Sequence, residues 1–178
     1  MLANTRGFTL IELLITLTLL ALLLTIGLPG FSKQIQHTRT KTAATELLGA
    51  VQKTRILAVS KNLRATLAPL EKWEQGWEIF IDTNSNGIRD ENEIAVFQAP
   101  PLEGVRFKTN DPVKDYISFI GTGESRKAGR IDGGSIQMGT FTICPLDSGK
   151  GYQLILARSG RMRMTIAPPQ ECERDSPL

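Results

Sequence analysis

The chain has 178 residues, of which 41% are hydrophobic, 22% charged and 6% aromatic, and it carries a formal net charge of +3. That length holds one soluble domain plus a separate helix but not two ordinary domains, and the balance excludes a disordered or uniformly basic chain. A single histidine, His37, remote from both cysteines, leaves no spaced Cys/His set for zinc and no nucleophile–base pair, so neither catalysis nor a cofactor is expected.

Met1 to Gly7 form a short leader ending Arg6-Gly7, after which Leu10 to Leu28 contain one charged residue, Glu12. A helix over Phe8 to Leu28 is about 31 Å long, close to the roughly 30 Å hydrocarbon core, and reads as a membrane span. A cleaved signal peptide would have a shorter apolar core of about 7–15 residues and a small-residue cleavage site, which is missing after Leu28. Glu12 is costly in such a helix and needs a partner, unless it lies shallow enough to reach the headgroups. Pro29 and Gly30 then end or kink the apolar helix. Beyond them Ala44, Leu47, Leu48, Val51 and Ala58 recur at helical spacing, which predicts one long helix from Phe8 to about Asn62. Its polar residues Lys33, Gln36, Arg39, Lys41, Gln52 and Lys53 face water or neighbouring subunits, and His37 is read as a surface residue with no role.

The glycine, phenylalanine and glutamate of Gly7-Phe8-Thr9-Leu10-Ile11-Glu12, with an apolar helix behind them, closely resemble the prepilin signature of type IV pilins. The resemblance implies cleavage between Gly7 and Phe8 by a prepilin peptidase and N-methylation of Phe8. It further implies pairing of Glu12 with the Phe8 amine of a neighbouring pilin or pseudopilin. The expected division is a leader over 1–7, a transmembrane helix over 8–30, an amphipathic half over 31–62 and a β-rich globular domain over 63–178. The chain would then cross the inner (cytoplasmic) membrane once, with the globular domain in the periplasm or on the filament.

After Asn62, short alternating runs predict strands at 64–67, 76–81, 94–97, 116–120, 140–144, 152–156 and 163–166. A long helix packed on such an antiparallel domain is an α+β fold. Cys144 lies in one of these strands and Cys172 in a polar, proline-rich tail that offers no core. A disulfide tying tail to strand, in an oxidising compartment, accounts for both; buried free thiols are the alternative. The order Trp73 to Trp77, Asp82 to Gly87, Phe141 to Cys144, Ser159-Gly160-Arg161 and a late cysteine resembles the FimT/GspH branch of pilin-like proteins.

Three motifs inside this domain invite chemistry. Asp82, Asn84, Asn86, Asp90 and Glu93, with Gly87, fit the spacing of a calcium loop. The strands on either side, and the turn chemistry of Asn84, Asn86 and Gly87, point instead to a hairpin turn with no metal. The basic glycine-rich stretch Gly121 to Arg130 lacks the Gly-Lys-Ser/Thr and the following helix of a phosphate cradle, and Gly149-Lys150-Gly151 lacks the hydroxyl residue.

The third motif is basic. From Gly104 to Arg163 ten basic residues stand against five acidic ones, and the sharpest cluster is Arg158-Ser159-Gly160-Arg161-Met162-Arg163. Arg161 and Arg163 share a face if the segment is extended, and Arg158 would reach the same rim. Gly160-Arg161-x-Arg163 matches the Gly-Arg-x-Arg motif of FimT-type minor pilins, which implies DNA binding through the phosphates in natural transformation. Arg158 and, more remotely, Lys150 would join it. The competing reading is a structural minor pilin, or a type II secretion pseudopilin, that primes or caps a filament without touching DNA.

Overall fold

The computed structural model describes residues 7–129, 134–147 and 149–173, without the side chains of 26–30. The leader 1–6, and Arg130 and Asp132 of the basic stretch, lie outside the described residues. By its internal contacts the chain divides into two compact units, residues 1–35 and 36–178.

Helix α1 spans Leu10–Lys61 and runs through Pro29 and Gly30 rather than ending there. Thr9 opens it with a capping box. The Glu12 amide donates to Thr9 Oγ1 at 3.3 Å while Glu12 Oε2 accepts from the Thr9 amide at 3.0 Å, so two N-terminal amides are satisfied reciprocally. Thr16, Thr18 and Thr25 donate their hydroxyls back to carbonyls of the preceding turn, at 2.8–3.0 Å. Among the described residues no helix is long and apolar enough to cross a membrane; the last residues of the expected span, 26–30, fall among the undescribed side chains.

At its other end α1 closes on Asn62, which adopts φ 52°. The Asn62 amide donates to Val59 O at 3.3 Å and the Leu63 amide to Ala58 O at 3.2 Å, the paired bonds of a Schellman stop. Over its second half, Thr40, Ala43, Ala44, Leu47, Ala50, Val51, Thr54 and Ala58 are buried, one stripe at 3.6-residue period that carries the helix onto the core. The two threonines in it bond Gln36 O and Ala50 O, so no hydroxyl is buried unpaired. Two expectations on the polar side are corrected. Gln36 donates to the Gly104 carbonyl, and His37 is partly buried with Nε2 3.0 Å from the Tyr152 hydroxyl.

Eight strands follow: β1 Ala65–Pro69, β2 Trp77–Ile81, β3 Ala95–Gln98, β4 Val105–Thr109, β5 Ile117–Phe119, β6 Gly139–Pro145, β7 Tyr152–Leu156 and β8 Met162–Ile166. They form two antiparallel sheets, ordered β3-β2-β1-β5 and β4-β6-β7-β8. β4 was not among the expected strands: Arg106 and Lys108 alternate with Val105 and Phe107, and the charged positions hid a five-residue run. The core joins Leu67, Trp77, Ile79 and Phe119 of the first sheet to Phe141, Ile143, Leu154 and Leu156 of the second, with Leu47 of α1 fully buried among them.

Cys144 and Cys172 are joined, with S–S 2.04 Å. Gly151 makes room for the bridge, since a Cβ there would stand 2.3 Å from Cys172 Sγ. The Gly149-Lys150-Gly151 segment therefore accommodates the disulfide. Closing a loop with a sequence separation of 28 predicts that replacing both cysteines by serine costs about 3.6 kcal/mol by loop entropy. Urea unfolding of residues 36–178 checks this; an unchanged midpoint would show that the bridge adds nothing to the fold.

Candidate nucleic-acid interface

β7 and β8 pair in antiparallel register, Leu156 opposite Met162 and Ile155 opposite Arg163, and the chain between them must reverse in five residues. It does so with two backbone bonds: the Gly160 amide donates to Ala157 O and the Ala157 amide to Arg161 O, both at 2.9 Å. Alternation along β8 turns Met162 inward, 8% exposed, and leaves Arg161 and Arg163 exposed on the other side. Arg158 and Ser159 are exposed at the tip. Among the described residues no hydrogen bond or ion pair engages the guanidinium of Arg158, Arg161 or Arg163.

The turn is seated on the loop 121–125. Gly160 has φ 75°, and a Cβ there would lie 2.3 Å from the Gly123 carbonyl oxygen and 3.0 Å from the Phe119 ring; no residue but glycine fits. Gly123, itself at φ 80°, is in turn pressed onto α1, where a Cβ would meet Val59 at 3.1 Å and Arg55 Nε at 3.2 Å. The Gly123 carbonyl accepts from Arg55 Nε at 2.9 Å. Ser125 completes the seat, its hydroxyl donating to Gln137 O at 2.7 Å and standing 3.3 Å from Ala157 O. Fully buried Gln137 holds the loop's neighbours: its Oε1 accepts from the Ser118 amide, and its Nε2 donates to Pro112 O and Tyr116 O. The glycine-rich stretch thus acts as a buttress for the arginine turn.

The other basic residues are dispersed. Arg106 donates to the Cys172 carbonyl, Lys108 to the Glu173 carbonyl at 3.1 Å, and Arg126 is held by Glu124 at 2.7 Å. Lys150 precedes β7 and Arg158 follows it, so the two stand at opposite ends of a five-residue strand, about 17 Å long at about 3.4 Å per residue. The structure gathers Arg158, Gly160, Arg161 and Arg163 at one corner and excludes Lys150 from it. Arg55, placed under the turn from α1, was missed; nothing in its local sequence marks it, since the contact spans 68 residues.

The loop 82–93 joins β2 to β3 and is held by its own carboxylates. Asp82 is buried and accepts from the Asn86 and Gly87 amides at 3.0 and 2.9 Å and from the Thr66 hydroxyl at 3.2 Å. Asp90 accepts from both asparagine side chains, and Glu93 from the Thr83 amide and hydroxyl and the Asp90 amide. The carboxylates are directed at the loop's own donors, and among the described residues no group of three or more His, Cys, Asp or Glu is placed to hold a metal ion. Burial pushes the Asp82 carboxyl above the ordinary range, against the opposing pull of its hydrogen bonds.

Residues 43–160 match the family model of the type II transport protein GspH, and residues 2–28 match the prokaryotic N-terminal methylation motif. No individually curated protein matches the chain. Among solved structures, the type IV minor pilin FimU of Pseudomonas aeruginosa strain PAO1 is similar, with TM-score 0.55 and 19% identity over 77% of this chain and 94% of that one. A second crystal form of FimU gives 0.53 and 19%, over 75% and 97%. The minor pseudopilin EpsH of the Vibrio cholerae type 2 secretion system aligns at TM-score 0.49 and 12% identity, over 71% and 96%. The two FimU likenesses bear on the fold alone.

If Gly160 is the seat of the turn, Gly160→Ala forces both a strained φ and a clash with the Gly123 carbonyl. It should destabilise residues 36–178 by about 1–3 kcal/mol, read from thermal melts, whereas Ser159→Ala, one residue away and exposed, should leave the melt unchanged.

Proposed function

We propose, from the premise that the chain belongs to the GspH family of type IV pilin-like minor pilins and pseudopilins, that its arginine turn captures DNA for uptake. The observation that carries this reading is the cluster of three exposed arginines that have no partner among the described residues, on a turn seated through Gly160. An arginine that already has a carboxylate neighbour is neutralised; one held at a rim without such a neighbour grips a phosphate through its planar fork. Contacts of this kind recognise the backbone and not the base sequence.

The rest of the chain serves display. Residues 8–30 anchor the protein in the inner membrane after prepilin peptidase has cut between Gly7 and Phe8, and the new amine of Phe8 is methylated. In the unassembled chain the Glu12 carboxylate caps its own helix through Oε2, which keeps that charge satisfied until a neighbouring subunit's amine approaches. Other pilins or pseudopilins are partners in keeping with the family. A filament-priming role without DNA contact is the reading left standing if the arginines prove inert.

Replacing Arg161 and Arg163 by glutamine should abolish the mobility shift of DNA by residues 36–178 while leaving the melting curve intact, because neither guanidinium has a partner to lose among the described residues. With three phosphate contacts, log affinity for duplex DNA should fall with log salt at a slope of about −2.7. A flat salt response, or an undiminished shift by the double variant, would overturn the reading.

A further inference from the structure

Between α1 and the start of β8 lies a cleft of about 590 Å³, within the roughly 300–1,000 Å³ typical of small-ligand clefts. One wall is helical, from Val51, Gln52, Arg55 and Ile56; the other is the arginine turn, from Gly160, Arg161 and Met162. Its chemistry is divided. Val51 and Met162 are buried apolar residues, 1% and 8% exposed, and provide a floor, whereas Arg55 and Arg161 bring positive charge to opposite sides. Arg55 is fixed by the bond from its Nε to the Gly123 carbonyl. No other described residue engages its terminal nitrogens, so its guanidinium plane is oriented and still has donors to offer.

We propose that this cleft receives one unpaired base of single-stranded DNA, set against the Arg55 guanidinium, while Arg161 and Arg163 hold the adjoining phosphates. The inference rests on the DNA-capture reading and adds a preference to it. Phosphates alone do not distinguish strand number, but a recess with an apolar floor next to the phosphate grip is accessible only to a base that has left its pair. Bases splayed from single strands stack on arginine planes as well as on aromatic rings, so the recess needs no exposed aromatic. In a duplex the bases are paired and stacked, and the recess stays empty.

The test uses the full chain in detergent and fluorescence anisotropy at about 0.15 M salt, where charges more than about 8 Å apart are largely screened. The probes are a labelled oligothymidine and a labelled duplex of equal length. Arg55→Gln removes the guanidinium. Gln52→Glu places a negative charge at an exposed cleft position without disturbing packing, so it serves if Arg55→Gln loosens the fold. Arg55→Gln should weaken oligothymidine binding about tenfold, the loss of one charge-assisted contact, and Gln52→Glu should weaken it in the same direction by repelling the strand at the cleft, each changing duplex binding by less than about twofold; Arg163→Gln should weaken both probes alike. Equal loss on both probes, or no loss on either, in Arg55→Gln and Gln52→Glu would overturn the cleft assignment while leaving DNA capture intact. If Arg161→Gln with Arg163→Gln changes neither probe, DNA capture itself fails, and this inference with it.

Discussion

The approach of Gly160 to the Gly123 carbonyl is the contact on which the candidate site depends. At that separation no side chain is tolerated at position 160, and because Gly123 rests on Val59 and Arg55, the turn is coupled through the loop to the core-packed half of α1. An arginine side chain has high rotational entropy, and its use as a binding group depends on how firmly its backbone is held. Here the backbone of the turn is held by two hydrogen bonds of its own and by the loop beneath it, while the side chains of Arg158, Arg161 and Arg163 remain outside. The stability of the turn and the availability of its charges are therefore supplied by different atoms.

Charge counting does not find this arrangement. The region 104–163 has an excess of basic residues, yet Arg106 and Lys108 on β4 are spent on carbonyls of the disulfide-tied tail, and Arg126 on Glu124. Their outlay is structural: they fasten the carboxyl-terminal segment and the buttress loop. What remains available is decided by partners, which a sequence does not show.

The architecture was legible where periodicity is local. The apolar run, the 3.6-residue stripe from Ala44 to Ala58 and the alternation of seven of eight strands all follow from neighbours in sequence. The Gly160-Arg161-x-Arg163 spacing placed two arginines on one side of a strand, and the structure does so. Failures came where the cause was distant. β4 was concealed by charged residues whose partners lie over sixty residues away; Lys150 looked close to Arg158 in number but stands at the opposite end of β7. Arg55 was invisible because its role is set by Gly123. One miss was local: Thr9-x-x-Glu12 is a capping-box pattern, overlooked because the acid in an apolar helix drew attention to intermolecular pairing.

The most direct test of a DNA-binding arginine turn is to map where DNA touches the chain. Photo-cross-linking of a thymidine-containing oligonucleotide to the full-length protein, with peptide mapping by mass spectrometry, should place adducts in residues 157–163. Adducts confined to the far end of the sheet, around Lys150 and Lys108, would contradict it.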